Sequence, residues 1–150
     1  MTSVFVLNGP NLNLLGQREP EIYGSQTLDD VAELCRHVGE TVGFEIDFRQ
    51  TNHGGGLVDW IQEAGAAQRA ETCAGVVLNA GAYTHTSVAL HDAIVGAQAR
   101  VIEVHISNVH RRESFRQHSY ISPAAAGIIV GLGTMGYPLA IRALAEMWES

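Results

Sequence analysis

The sequence predicts an α/β protein built on a doubly wound sheet of five parallel strands, with helices on both faces in three α/β/α layers. Three observations predict it. Short apolar runs recur along the chain, segments with helical apolar spacing fall between them, and no repeat, linker or low-complexity block breaks the pattern. The chain has 150 residues, 46% of them hydrophobic and 17% charged. That is the size of one domain with a substantial core, so residues 1–150 are expected to form a single unit.

The elements follow in order. Ser3 to Asn8 reads as a buried strand, because Val4, Phe5, Val6 and Leu7 are continuous. Gly9 to Ser25 is rich in Gly, Pro and Asn. Thr27 has the character of an N-cap, Leu28, Val31, Ala32, Cys35, Val38 and Val42 repeat at helical spacing, and Gly43 fits the stop. Phe44 to Arg49 alternates as a strand does. Leu57, Trp60, Ile61 and Ala64 mark a second helix, Ala74 to Leu78 a third strand, and Leu90, Ala93, Ile94 and Ala97 a third helix. Val101 to His105 and Gly127 to Val130 complete the strands. The last helix is expected to carry Ala140, Ala143, Leu144, Met147 and Trp148 on one face.

Composition excludes several functions. All nine basic residues are arginine, and there is no lysine. Arginine stays protonated and forms no imine, so lysine Schiff-base chemistry, a pyridoxal phosphate anchor and a Walker-type loop are ruled out. The net charge of −7 argues against non-specific nucleic-acid binding. No apolar run approaches the ~18 residues of a membrane span, and no basic-then-apolar leader opens the chain, so a cytoplasmic protein without a membrane partner is expected. Cys35 and Cys73 lack metal or redox spacing and read as buried free thiols.

In a doubly wound sheet, ligands bind beyond the carboxyl ends of the strands. Those positions are dense with polar groups: Asn8-Gly9-Pro10-Asn11 after the first strand, Thr51-Asn52-His53 and three glycines after the second, Asn79 to Ser87 after the third. After the fourth come His105-Ile106-Ser107-Asn108, then Arg111, Arg112, Glu113 and Arg116. The stretch from Gly9 to Gly24 is long for a strand–helix connection, which normally takes ~2–6 residues. Its glycines and prolines suit a lid, expected over about residues 17–25, that excludes water when closed.

Other patterns are weaker. Gly131-Leu132-Gly133-Thr134-Met135-Gly136 matches GxGxxG, but no further strand with an acidic residue follows before Ser150, so a tight turn or close strand–helix packing is the better reading. The seven histidines form no HExxH or Cys/His ligand pair, and no metal is expected. His85 and His91 share a helical face only if the third helix begins early. Ser87 or Ser107 with His105 and Asp92 can be written as a triad, but no GxSxG supports it.

The stretches Leu7-Asn8-Gly9-Pro10-Asn11-Leu12, Leu15-Gly16-Gln17-Arg18-Glu19-Pro20 and Ile22-Tyr23-Gly24 resemble the type II 3-dehydroquinate dehydratases. Leu78 to Ser87, Glu103 to Asn108, Arg112-Glu113 and Phe115-Arg116 are similar to the same family. The resemblance implies a flavodoxin-like fold and a dodecamer built as a tetramer of trimers. It implies a cofactor-free, reversible anti elimination of water from 3-dehydroquinate to 3-dehydroshikimate through an enolate, the third step of the shikimate pathway. The absence of lysine agrees independently, because the imine route is closed. One departure stands out: where many members read Asn-His-Glu-Gly-Glu, this chain has Asn52-His53-Gly54-Gly55-Gly56, which bears on subunit contacts or on the stiffness of that segment.

Dehydrating a β-hydroxy ketone needs a base at the α-carbon, a stabiliser for the enolate oxygen and an acid for the departing hydroxyl. Tyr23 is the candidate base. A phenol with an unperturbed pKa of ~10 needs a neighbouring cation to act near neutrality. Arg18, five residues earlier, is the first candidate cation, and Arg112 across the rim is the second. His105 is the candidate acid, with Asn11 to orient it and Glu103 two residues back; Asn11 also suits a water held against the enolate oxygen. By resemblance, Asn79, His85, Ile106, Ser107, Arg112 and Arg116 bind substrate. The backbone amides of Ile106 and Ser107 suit its carboxylate, and Arg116 supplies a guanidinium. Asp92 maps to a further substrate position, reaching in from a neighbouring subunit.

Overall fold

A computed structural model describes residues 1–17, 21 and 25–149 of the chain. Five strands, β1 (Ser3–Asn8), β2 (Glu45–Gln50), β3 (Cys73–Asn79), β4 (Val101–His105) and β5 (Gly127–Val130), form one sheet in the order β2-β1-β3-β4-β5. Every pairing is parallel. Among the described residues four α-helices lie between and after them: α1 (Leu28–Val42), α2 (Gly54–Arg69), α3 (Val88–Ala97) and α4 (Gly136–Glu149). This is the flavodoxin-like order, and the chain reverses its direction of travel across the sheet between β1 and β3.

Strand periodicity divides the core. Val4 and Val6 of β1 pack with α1 and α4, against Val31, Cys35, Ile141 and Leu144. Phe5 and Leu7 face α2 and α3, against Leu57, Ile61, Leu90 and Ile94. Because both faces are covered, β1 and β3 read as continuous apolar runs rather than alternating ones. Cys35 and Cys73 are buried free thiols, as expected.

Local signals set the helix ends. Thr27 accepts a bond from the Asp30 amide while the Asp30 carboxylate accepts one from the Thr27 amide, which closes a capping box on α1. Gly43 ends the helix at φ +86°, a left-handed conformation that favours glycine.

Three details differ from the sequence-based expectation. The β2 strand runs one residue later, because Phe44 is still tied to the end of α1 through its amide on the Gly39 carbonyl. The three glycines after β2 are the first turn of α2, starting at Gly54, rather than part of a loop. The buried face of α4 is Tyr137, Ala140, Ile141 and Leu144, whereas Trp148 is 40% exposed. The helix meets the sheet near its beginning, so the apolar stripe runs back from Leu144 toward the strand ends.

No α-helix joins β4 to β5. The connection is a series of short 3₁₀ turns at Val109–Arg111, Ser114–Arg116 and Ser122–Ala124. Its polar sequence offers no continuous apolar stripe, and several of its side chains, Val109, Arg112 and Arg116 among them, face the carboxyl end of the sheet instead. The GxGxxG stretch is a tight turn, as expected. Gly131 has φ +83° and lies so close to Asn108 that an added Cβ would sit 2.9 Å from the Asn108 Cβ. Among the described residues no helix is long and apolar enough to cross a membrane.

Candidate active site

The register of the sheet brings Asn8, Gln50 and Asn79 level at the carboxyl rim. The exits of β1 and β3 run back to back. The Gly9 amide donates to the Asn79 carbonyl at 2.8 Å, and a Cβ on Gly9 would lie 2.4 Å from the Ala80 carbonyl oxygen, so only glycine fits. Asn11 turns the chain at φ +68°, and its amide donates to the Asn52 side-chain oxygen at 3.0 Å. Gln50 braces the same turn by donating to the Gly9 carbonyl at 3.1 Å.

A cavity of about 130 Å³ opens at this point. Pro10, Asn11, Leu12 and Leu15 line it from the β1 side, and Asn79, Gly81, Ala82 and His85 from the β3 side. His105, Ile106, Ser107, Val109, Arg112 and Arg116 come from β4 and the turns after it. It lies where the direction of winding reverses, the place an open α/β sheet reserves for ligands.

His105 is 7% exposed, and its Nε2 lies 2.6 Å from Oε2 of Glu103. Residues i and i+2 of a strand share a face, which is why the pair meets. Glu103 is 1% exposed and also accepts bonds from Ser119 Oγ at 2.9 Å and Ser122 Oγ at 2.5 Å. Burial pushes its carboxyl pKa up, but the bonds from His105, Ser122 and Ser119 and the imidazole charge outweigh burial and hold it below the usual carboxylate range. An ionised carboxylate only accepts, so the His105 proton on this side sits on Nε2 and Nδ1 is the nitrogen left for a ligand. With Nε2 held by the carboxylate, the ring presents Nδ1 to the cavity in a fixed orientation, which suits a general acid.

His85 stacks near His105, with ring centroids 6.3 Å apart. Its Nδ1 lies 2.8 Å from the His118 carbonyl oxygen. A carbonyl cannot donate, so Nδ1 carries the proton and Nε2 offers a lone pair. Burial lowers the His85 pKa; the carbonyl bond opposes this, and the neighbouring His105 and Arg116 lower it further. Arg112 reaches Ser107 Oγ at 3.4 Å, and Arg116 donates to Glu113 at 3.0 Å. Two guanidiniums, two imidazoles, amides and a hydroxyl thus face one small volume, an arrangement suited to acid–base chemistry on a small anionic, hydroxylated molecule.

The cavity collects Asn11, Asn79, His85, His105, Ile106, Ser107, Arg112 and Arg116. Tyr23 and Arg18, and with them most of the expected lid, lie outside the described residues. Asp92 does not line the cavity; it sits exposed on α3, its carboxylate 3.3 Å from His91 Nδ1. The serine triad does not assemble with either serine: Asp92 lies away from the cavity, the His105 ring pairs with Glu103 instead, and Ser87 caps α3 by accepting from the Leu90 amide. His85 lies on a 3₁₀ turn before α3 begins, so it shares no helical face with His91. The recorded partner of the His105 ring is Glu103 rather than Asn11.

Sequence reasoning missed Ser119, Ser122 and Tyr137. Tyr137 could have been found, since it stands three, four and seven residues before Ala140, Ile141 and Leu144, and a tyrosine on a core face needs a polar partner. No local signal marks the serines.

Sheet order and site together define a class: a doubly wound α/β protein with an acid–base pocket at the switch point of its sheet. The chain belongs to the dehydroquinase class II family, whose model matches residues 2–145. It is 65% identical over 144 residues to a 3-dehydroquinate dehydratase of Variovorax paradoxus, covering 96% of this chain and 99% of the relative. It is 62% identical to 3-dehydroquinate dehydratase 2 of Ralstonia nicotianae, covering 96% and 94%. Among solved structures it resembles a type II dehydroquinase from Propionibacterium acnes, with a TM-score of 0.90, 43% identity and 97% of each chain covered.

Proposed function

We propose that this chain is a hydro-lyase, a 3-dehydroquinate dehydratase that removes water from 3-dehydroquinate to give 3-dehydroshikimate, the third step of the shikimate pathway. The observation that carries the reading is the convergence of His105, His85, Asn79, Arg112 and Arg116 on one cavity at the switch point, in a chain of this family.

The chemistry runs as an anti elimination. Tyr23, its phenolate favoured by Arg18, takes the α-proton. The enolate oxygen is stabilised by a water held by Asn11. His105, charged and backed by Glu103, gives its Nδ1 proton to the departing hydroxyl. Arg116 and the amides of Ile106 and Ser107 suit the substrate carboxylate, while Asn79, His85 and Arg112 suit its remaining polar groups. No step requires a metal, a cofactor or an amine nucleophile.

On this reading residues 1–150 are one catalytic domain, and residues 17–25 are the lid that brings Tyr23 and Arg18 to the cavity. Asp92, exposed on its own subunit, completes a neighbour's site within a cytoplasmic dodecamer. Adding the purified protein to 3-dehydroquinate should produce the ultraviolet absorbance of a conjugated enone. Folded protein that gives no such signal would overturn the proposal, and a native mass far from twelve chains would remove the assembly from it.

A further inference from the structure

Behind Asn79 of the cavity wall lie two further polar residues, Tyr137 and Asn8, that the elimination itself does not use. Tyr137, at the start of α4, is fully buried. Its hydroxyl donates to Asn8 Oδ1 at 2.7 Å and accepts from Asn79 Nδ2 at 2.9 Å. Asn8 Nδ2 donates in turn to the Arg49 carbonyl at 3.0 Å, and Asn79 Oδ1 accepts from the Gly81 amide at 3.2 Å. Four bonds therefore form one chain from the Gly81 N–H to the Arg49 C=O.

Both ends of that chain are backbone groups of fixed polarity. Turning the Asn79 amide over would set its NH₂ against the Gly81 N–H. Reversing the side-chain bonds would set Asn8 Oδ1 against the Arg49 carbonyl. Either change juxtaposes like poles where water cannot relieve them, since Asn8 and Tyr137 are wholly buried and Asn79 is 3% exposed. Burial also raises the Tyr137 pKa far above the usual phenol range. It remains a neutral phenol and is no rival to Tyr23 as a base.

We propose that Tyr137 is a positioning residue for substrate recognition: through Asn79 it fixes which edge of that amide, donor or acceptor, each substrate group meets. The amide has two N–H groups and two oxygen lone pairs. The chain uses one of each, and leaves one N–H and one lone pair, at set positions, for the ligand in the cavity that Asn79 lines. The inference rests on the reading of Asn79 as a substrate-binding residue.

The test is a double-mutant cycle in kcat and KM for 3-dehydroquinate, with Tyr137→Phe, Asn79→Ala and the pair. Tyr137→Phe should raise KM by roughly five- to tenfold, the scale of one lost hydrogen bond, with kcat little changed. Asn79→Ala should raise KM further, and adding Tyr137→Phe to it should cost nothing more. An equal cost of Tyr137→Phe in both backgrounds would overturn the positioning role, as would a loss confined to kcat. An unchanged KM for Asn79→Ala would instead remove the substrate-binding role of Asn79, and the inference with it. If Tyr137→Phe does not fold, Asn8→Ala decides in the same two backgrounds: it frees the hydroxyl while keeping the ring, and should raise KM only where Asn79 is present.

Discussion

His105 Nε2 and Glu103 Oε2 lie 2.6 Å apart on one face of β4, and the carboxylate behind the imidazole is itself held by two serine hydroxyls. The pair makes the acid of the proposed reaction a two-residue device. Glu103 sets the tautomer and orientation of His105, while the bonds from His105, Ser122 and Ser119 together keep the carboxylate ionised despite burial.

Replacing Glu103 by glutamine keeps the volume and removes the charge. It should lower kcat by roughly 10- to 100-fold, part of what a positioned acid contributes, and change KM little. A normal kcat in steady-state assays would show that the carboxylate does not support His105. The same substitution should alter acid stability. The folded pKa of Glu103 is depressed, so its contribution is present above the unfolded value of about 4.3 and is lost as the pH falls below that through the folded value. The decline of Tm in this window should be shallower in Glu103→Gln.

His85 is also depressed, chiefly by burial. The unfolded chain therefore binds its proton more readily, and stability attributable to His85 is full above about 6.5 and is lost as the pH falls through the lower folded value. Thermal unfolding between pH 7 and pH 5 should show a smaller drop in Tm for His85→Gln than for the parent protein. Parallel curves would refute this assignment. Because the neutral ring presents a lone pair to the cavity, KM should also rise as His85 becomes charged.

Tyr23→Phe should reduce turnover by about 10²–10⁴-fold, the range typical of a general base, while circular dichroism and Tm stay at parental values. Arg18→Ala should lower kcat more than it raises KM, because the cation favours the phenolate rather than holding substrate. A change confined to KM would make Arg18 a binding residue only.

Gly9→Ala tests how tightly the exits of β1 and β3 pack. The new methyl would lie 2.4 Å from the Ala80 carbonyl oxygen, so the two segments must separate. Overpacking of this kind should cost roughly 1–3 kcal/mol in denaturant unfolding and raise KM, since Pro10, Asn11, Gly81 and Ala82 beside it line the cavity. Unchanged values of both would show that the wall yields freely.

Much of this protein was legible without coordinates, because its signals are local. Continuous apolar residues announced β1 and β3, the Thr27 cap and Gly43 bounded α1, and the spacing of Leu90, Ala93, Ile94 and Ala97 marked α3. Of the residues singled out around the strand ends, Asn11, Asn79, His85, His105, Ile106, Ser107, Arg112 and Arg116 line the cavity, whereas Leu15 and Val109 carry no such mark in the sequence. The stripe of α4 was misjudged at Trp148, because periodicity gives a face but not how far along a helix the sheet extends.

The sequence by itself determined the strand and helix pattern, the absence of lysine and with it of the lysine imine route, and the polar groups at the strand ends. Each of these depends on residue types within a few positions of one another. Only the tertiary structure decided what holds those groups in place. Ser119 and Ser122 reach Glu103 across 16 and 19 residues, and Tyr137 reaches Asn79 and Asn8 across 58 and 129. The serines leave no local trace, and the spacing of Tyr137 announces its burial but not its partners. Folding buries Glu103, Tyr137, Asn8 and Asn79 away from water, so their polar atoms are satisfied by protein partners that the tertiary structure brings to them.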